Sequence, residues 1–185
     1  MNNSPSMLPS LIPYNVSPAS YLSAHPIITN LLVCAIIIDA QTQRVLLIQR
    51  AAHDGFPLKW ECPGGNVELG IDDTVLQALC REVREETGLA VTLECINGVA
   101  DITEFEGSKN TKWRKVSFLV LLQEGQGQGV KVNEEEHQDA VWASEEEMLA
   151  GRCEGKEIIF AYDVQRETVL AVLKKGKSGG VCSYV

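Results

Sequence analysis

The stretch CREVREETGL, residues 80–89, sets three glutamates and two arginines ahead of a glycine. At about 100° per residue, Glu82, Glu85 and Glu86 fall within about a third of a helix circumference, beside its apolar edge rather than opposite it. Mixed charge is the ordinary mark of a solvated helix face. Carboxylates at i, i+3 and i+4 repel one another, however, and the cost rises near a low-dielectric core. A cation held among them removes that cost. Arg81, four residues before Glu85, can pair with it, whereas Arg84 points more nearly to solvent.

Working backwards, Val75, Leu76, Leu79, Cys80 and Val83 recur at helical spacing, Asp72, Asp73 and Thr74 offer capping oxygens, and Gly88 ends the helix. Before it, WECPGGNVELG (60–70) reads as a loop punctuated by Pro63, Gly64, Gly65 and Gly70. Glycines there let backbone approach a metal or phosphate, although a PGG turn alone is more often only a turn. Further out, NLLVCAIIIDA (30–40) and RVLLIQR (44–50) read as two strands of a hairpin. Strand-like runs follow at 90–105, 115–124 and 140–144, then a short helix at 144–151 and a closing amphipathic helix at 162–175.

The 185 residues, 45% hydrophobic, suffice for one domain with a sizeable core. Residues 1–29 contain no Asp, Glu, Lys or Arg and read as a weakly structured extension, and 176–185 read as a flexible tail. A net charge of −9 argues against nucleic acid or anionic lipid as partner, so a polyanionic ligand needs a local divalent cation. Six scattered cysteines lack zinc-site spacing and read as reduced, buried thiols, and no apolar run is long enough to span a membrane. Cys182 stands where a prenylation signal would place it, but Tyr184 and Val185 fit that signal poorly. A soluble, cytoplasmic protein is expected.

From Gly65 to Leu89 the chain resembles the Nudix box: Gly, five residues, Glu, seven residues, Arg-Glu, an apolar residue, any residue, Glu-Glu, any residue, Gly, apolar. REVREETGL matches the second half from Arg81 to Leu89, and WECPGGNVE resembles the approach to the box. Counted from Gly65, the isolated glutamate falls on Ile71 and the arginine on Leu79, both displaced by two residues. This reads as a two-residue insertion around Leu69–Asp72. Counting back from Arg81 puts Asp73 in the glutamate's place, where it is either the functional counterpart or the helix cap.

The resemblance implies an α/β/α sandwich around a central mixed β-sheet over residues 30–175, and Mg2+-dependent hydrolysis, with Mn2+ as possible substitute, of a nucleoside diphosphate linked to another group. It makes Glu82, Glu85, Glu86 and the backbone carbonyl of Gly65 metal ligands, and Arg81 their orienting partner. Hard oxygen donors suit such an ion. The general base is either Glu85 or Glu136, the latter from the acidic loop NEEEHQDAVW (133–142), which otherwise reads as a solvated charge run. A catalytically weak Nudix-like module binding a nucleotide or a protein is the rival reading.

His53 and His137 are expected as surface residues, Trp60 as packing, and Phe105, Trp113 and Phe118 as core rather than base-stacking groups. The proline associated with ADP-ribose hydrolases and the tyrosine associated with diadenosine polyphosphate hydrolases are both missing. A small-molecule nucleotide of the triphosphate class is the default substrate. Oligomeric state stays open, a homodimer among the options.

Overall fold

The computed structural model describes residues 7–177. The branched apolar run after residue 29 forms β1 (Asn30–Asp39), which turns into β2 (Val45–Arg50), and the two are antiparallel with Ile38 opposite Val45. Short β3 (Trp60–Glu61) precedes the charged helix α2 (Val75–Thr87). Then come β4 (Ile96–Glu106), β5 (Lys112–Leu122) and β6 (His137–Ala143). These six strands make one mixed sheet of order β3-β2-β1-β5-β4, with β6 on β2 and the β1–β5 pair parallel.

Side-chain alternation along β1 splits the core into two. Val33, Ala35 and Ile37 face α2, packing with Leu76, Leu79, Val83, Val116 and Phe118. Cys34, Ile36 and Ile38 face the other way, towards Val169, Val172 and Leu173 of the last helix (Asp163–Lys177). The expected α/β/α sandwich is present.

β1 and β2 part after their turn, and the loop after β3 takes the freed edge of β1. Ala35 N donates to Pro63 O (2.7 Å), Val33 N to Gly65 O (3.0 Å), and Val67 N to Leu31 O (2.9 Å). The glycine turn is thereby stitched to the sheet rather than left as a free loop.

Residues 9–24 depart from the weakly structured extension expected there. They form a 3-10 turn (Pro9–Tyr14) and helix α1 (Pro18–Ala24), and Leu11, Tyr14 and Tyr21 join the α2-side core. Ser17, Pro18 and the three apolar side chains suffice for this without any charged residue, because a Ser N-cap followed by Pro starts a helix. Phe118 lies in the core as expected, but Phe105 is exposed and stacks in parallel on Trp113 (6.2 Å between centroids), since β4 and β5 run beyond the cover of the helices. Described cysteines are free thiols, four of the five buried. Cys182 and the tail from residue 178 lie outside the described residues. Among the described residues no helix is long and apolar enough to cross a membrane.

Candidate active site

Helix α2 begins at Thr74, whose hydroxyl accepts from Gln77 N, and ends at Gly88 in the left-handed conformation (φ 71°). Its apolar residues face the sheet and its carboxylates are graded by depth: Glu86 is 6% exposed, Glu82 is half-buried and Glu85 is exposed. Arg81 ties the outer two together, its Nη1 donating to Glu82 Oε1 (2.9 Å) and Glu85 Oε2 (3.0 Å). The same guanidinium reaches the loop through Nη2 to Asn66 O (2.9 Å), and it grips both oxygens of Asp72.

Among the described residues Asp73 is neither the helix cap nor a partner of Arg81. It is exposed, while Thr74 caps and buried Asp72 fills the place opposite Arg81. The insertion is absorbed by Leu69 and Ile71, both more than 60% exposed, so that Arg81 and Asp72 still meet.

Glu86 points into the turn before the box. Its Oε2 accepts from Gly64 N at 2.6 Å. Close approach of backbone requires a glycine at 64, where a Cβ (φ 151°) would lie 2.2 Å from Val33 O, whereas a Cβ on Gly65 would lie 2.5 Å from a carboxylate oxygen of the Glu82 side chain. Gly65 thus sits against Glu82, and its carbonyl already accepts from Val33 with one lone pair remaining.

The acidic loop is brought in by backbone. Lys131 N donates to Thr87 O and Asn133 N to Glu86 O, after which Asn133 O accepts from Glu136 N and His137 N. One oxygen each of Glu86 and Glu136 and one nitrogen of His137 consequently lie within 4.8 Å of one another. His137 is not the surface imidazole expected but 1% exposed. An irregularity at Gln49/Arg50 in the β2–β6 register turns it inward. Its Nε2 stands 3.3 Å from Glu61 Oε1 and 3.8 Å from Glu86 Oε1, while its Nδ1 is buried without a partner among the described residues. Glu61 is held in turn by Arg50 Nη1 at 2.5 Å.

Glu61, Arg50, Asp72 and His137 are the parts that the sequence reading missed. Glu61 was legible only as the residue after Trp60 in WECPGG. His53 is exposed as expected, with its Nε2 at Glu135 O, and Trp60 is buried with its indole N–H on Glu157 O.

Arg81 on Glu82 and Glu85, and Arg50 on Glu61, compensate the cluster only in part. Burial, then the neighbouring Glu61, Glu82 and Glu136, push the Glu86 carboxyl well above the usual range, against the lowering effect of Gly64 N–H. Burial also raises Glu82 despite Arg81. Oxygens of Glu86 and Glu136 converge here with a nitrogen of His137, and the hard oxygen donors of the cluster fit a divalent cation.

The model of the NUDIX domain matches residues 29–162. The chain belongs to the NUDIX domain family. Among solved NUDIX-like folds it is similar to the MutT protein from Methanosarcina mazei Go1, at 25% identity and TM-score 0.59 over 82% of this chain and 96% of that one. It is equally similar to the E. coli ORF135 protein, at 26% identity and TM-score 0.59 over 84% and 98%. A 56-residue segment is 45% identical to the m7GpppN-mRNA hydrolase NUDT17 of Danio rerio, covering 30% of this chain but only 18% of that protein.

Proposed function

We propose that this NUDIX protein hydrolyses a phosphoanhydride bond in a small nucleotide, a nucleoside diphosphate linked to another group, with Mg2+ as cofactor. The observation that carries this reading is Glu86, a carboxylate buried between Gly64 N–H, Glu61, Glu136 and His137. Burying like charges without a counter-charge costs several kcal/mol in folded proteins, on the order of a pKa shift of a few units. A substrate phosphate alone would deepen that repulsion.

Glu82, Glu85, Glu86 and the free lone pair of the Gly65 carbonyl would hold the ion, with Glu136 as a further donor. Bound there, a divalent cation supplies positive charge to phosphate oxygens and acidity to an attacking water. Arg81 keeps Glu82 and Glu85 from splaying apart, and Gly64 fixes the direction of Glu86. Glu136 is exposed at the mouth of the cluster, whereas one oxygen of Glu85 is tied to Arg81, so Glu136 is the better placed proton acceptor.

The rival reading, a module that binds without turnover, drew its motive from the loop insertion. That insertion bulges outward and leaves the Arg81 contacts in place. The shared segment with an m7GpppN-mRNA hydrolase covers too little of that protein to set the substrate here. A cytoplasmic location is proposed on the free thiols.

The test is Mg2+-dependent release of nucleoside monophosphate from a panel of nucleotides. Glu86→Gln should lower kcat by about 100-fold or more, on the scale of lost electrostatic stabilisation. Equal turnover by wild type and Glu86→Gln overturns the site.

A further inference from the structure

Cys34 and Cys62 share the core under the last helix, and the chain around them is fixed on both sides. Ala35 N donates to Pro63 O and Val33 N to Gly65 O, so the glycine turn runs antiparallel beside β1. Cys34 stands opposite Gly64 in this pairing, and Cys62 is its diagonal neighbour on the same face. Diagonal positions lie within reach of one another's side chains. The Cys62 thiol accordingly donates to the Cys34 sulfur. Gln165 of the last helix holds the pair, its Nε2 donating to Cys34 Sγ (3.3 Å) and its Oε1 accepting from Cys62 N (3.4 Å).

A buried cysteine that only fills space behaves as a small hydrophobe and needs no donors. Cys34 is surrounded by them. Ser117, its register partner on β5, also hydrogen-bonds to the sulfur, and the Lys115 ammonium adds positive charge. The Cys62 donor above all, then Lys115, Gln165 and Ser117, hold the Cys34 thiol below its ordinary value against burial, whereas the same Cys34 contact and burial push Cys62 up. One sulfur is thereby prepared as a nucleophile, with a proton source beside it. Both cysteines are 3% exposed rather than sealed. Lys115, two residues from Ser117 on the same face of β5, is half-buried and gives a solute of about the size of water a polar approach.

We propose that Cys34 and Cys62 form a site of reversible oxidation by hydrogen peroxide, ending in a disulfide between β1 and the glycine turn. The Cys34 thiolate attacks one peroxide oxygen: an S–O bond forms, the O–O bond breaks, and the departing hydroxide takes the Cys62 proton and leaves as water. The Cys62 thiolate then attacks the sulfenic sulfur of Cys34, and the hydroxide it expels takes from solvent the proton that Cys34 had given up. Each sulfur loses one electron, the peroxide gains both, and a disulfide and water result. The covalent bond draws the sulfurs closer than their hydrogen-bonded contact and removes the acceptor of Gln165 Nε2. The turn that presents Gly64 N to Glu86 and Gly65 to Glu82 shifts with Cys62. Loss of Mg2+-dependent turnover on oxidation follows, and this consequence alone rests on the carboxylate-site reading.

Titration of the reduced full chain with hydrogen peroxide, followed by alkylation and peptide mass mapping, tests the site without any substrate. Cys34 and Cys62 should appear as a linked peptide pair that dithiothreitol separates. The link should form before Cys80 is modified, a more exposed thiol that burial nevertheless pushes up to about 11. In Cys62→Ser, oxidation should stop at a sulfenic acid on Cys34 that dimedone traps. In Cys34→Ser, Cys62 should stay open to alkylation at the same dose. The wild-type map depends on the folding of neither variant. Cys34 and Cys62 both alkylated at a dose that oxidises Cys80, or either of them linked to a different cysteine, overturns the proposal. Linked protein should lose about tenfold or more in kcat, the scale of a misplaced catalytic group, and dithiothreitol should restore it. Unchanged turnover in fully linked protein overturns the coupling to the glycine turn, whereas a chain inactive in both states counts against the carboxylate-site reading and leaves the peptide map standing.

Discussion

Arg81 donates from Nε and Nη2 to the two carboxylate oxygens of Asp72, at 2.9 and 3.0 Å, across nine residues of chain. This pair fixes the loop before α2 against the helix that carries the acidic cluster. Burial raises the Asp72 carboxyl, but the Arg81 hydrogen bonds and Glu68 N–H outweigh it and hold the group below its ordinary value. Its stabilisation is therefore present above the unfolded value of about 3.9 and is lost as pH falls through the lower folded one. Asp72→Ala removes two charge-assisted hydrogen bonds from Arg81, which keeps Glu82, Glu85 and Asn66 O, and should cost about 2 kcal/mol in urea unfolding. Asp73→Ala, one residue on and exposed, should stay within about 0.5 kcal/mol. Equal losses at the two positions would return the role to Asp73.

The adjacent glycines should separate folding from function. Alanine at Gly64 drives a Cβ into the backbone of Val33 at a left-handed φ, and no side chain can move aside. That protein should lose about 3 kcal/mol or more, or fail to accumulate. Alanine at Gly65 meets only the movable carboxylate of Glu82. Its Tm should change by about 4 °C or less, while the Mg2+ concentration needed for half-maximal activity rises. Thermal melts and Mg2+ titrations on the same two variants check both halves.

Glu86 gives the metal-free protein a pH dependence of opposite sign to that of Asp72. Its folded pKa is raised, so its contribution is full below the unfolded value of about 4.3 and is lost as pH rises through the folded one. In chelator, Tm should fall as pH rises above the unfolded value, and Glu86→Gln should flatten that fall. Because a cation needs the ionised carboxylate, the Tm gain on adding Mg2+ should grow over the same interval. A Mg2+ effect independent of pH would count against Glu86 as a ligand.

How much of this was legible in the sequence follows from the range of each interaction. Helix α2, its Gly88 stop and the paired strands β1 and β2 are written in local periodicity and capping, and they form where expected. Arg81 with Glu85 is an i,i+4 contact and equally local. Glu61 and His137 are not, for they lie 76 residues apart and meet only because β3 and β6 flank β2, with a shift at Arg50 that turns the imidazole inward. A charge run such as residues 133–137 has the same composition whether it waves in solvent or is tied by backbone to the end of α2. Asp72 and Asp73 were indistinguishable for a similar reason: burial chose between them, and burial depends on how an inserted loop closes.

The N-terminal segment supplies the last test, since its part in the core contradicts its composition. Tyr14 meets Phe118 edge to face at 5.2 Å and stacks on Tyr21 at 5.6 Å, while Arg114 Nη1 donates to the Tyr21 hydroxyl at 3.0 Å. Burial pushes the Tyr14 hydroxyl up to about 12, in keeping with a side chain sunk in the fold. Leu11 is 2% exposed, so Leu11→Ala should cost about 3 kcal/mol by the transfer and cavity cost of a buried leucine. Tyr21→Phe removes one hydrogen bond from a charged donor and should cost about 1.5 kcal/mol. Ile12→Ala, in the same turn but 59% exposed, should be nearly silent and serves as the control. Denaturant midpoints of the three variants decide the matter: three small and equal shifts would mean that residues 9–24 lie loosely on the domain, whereas a graded series places them in its core.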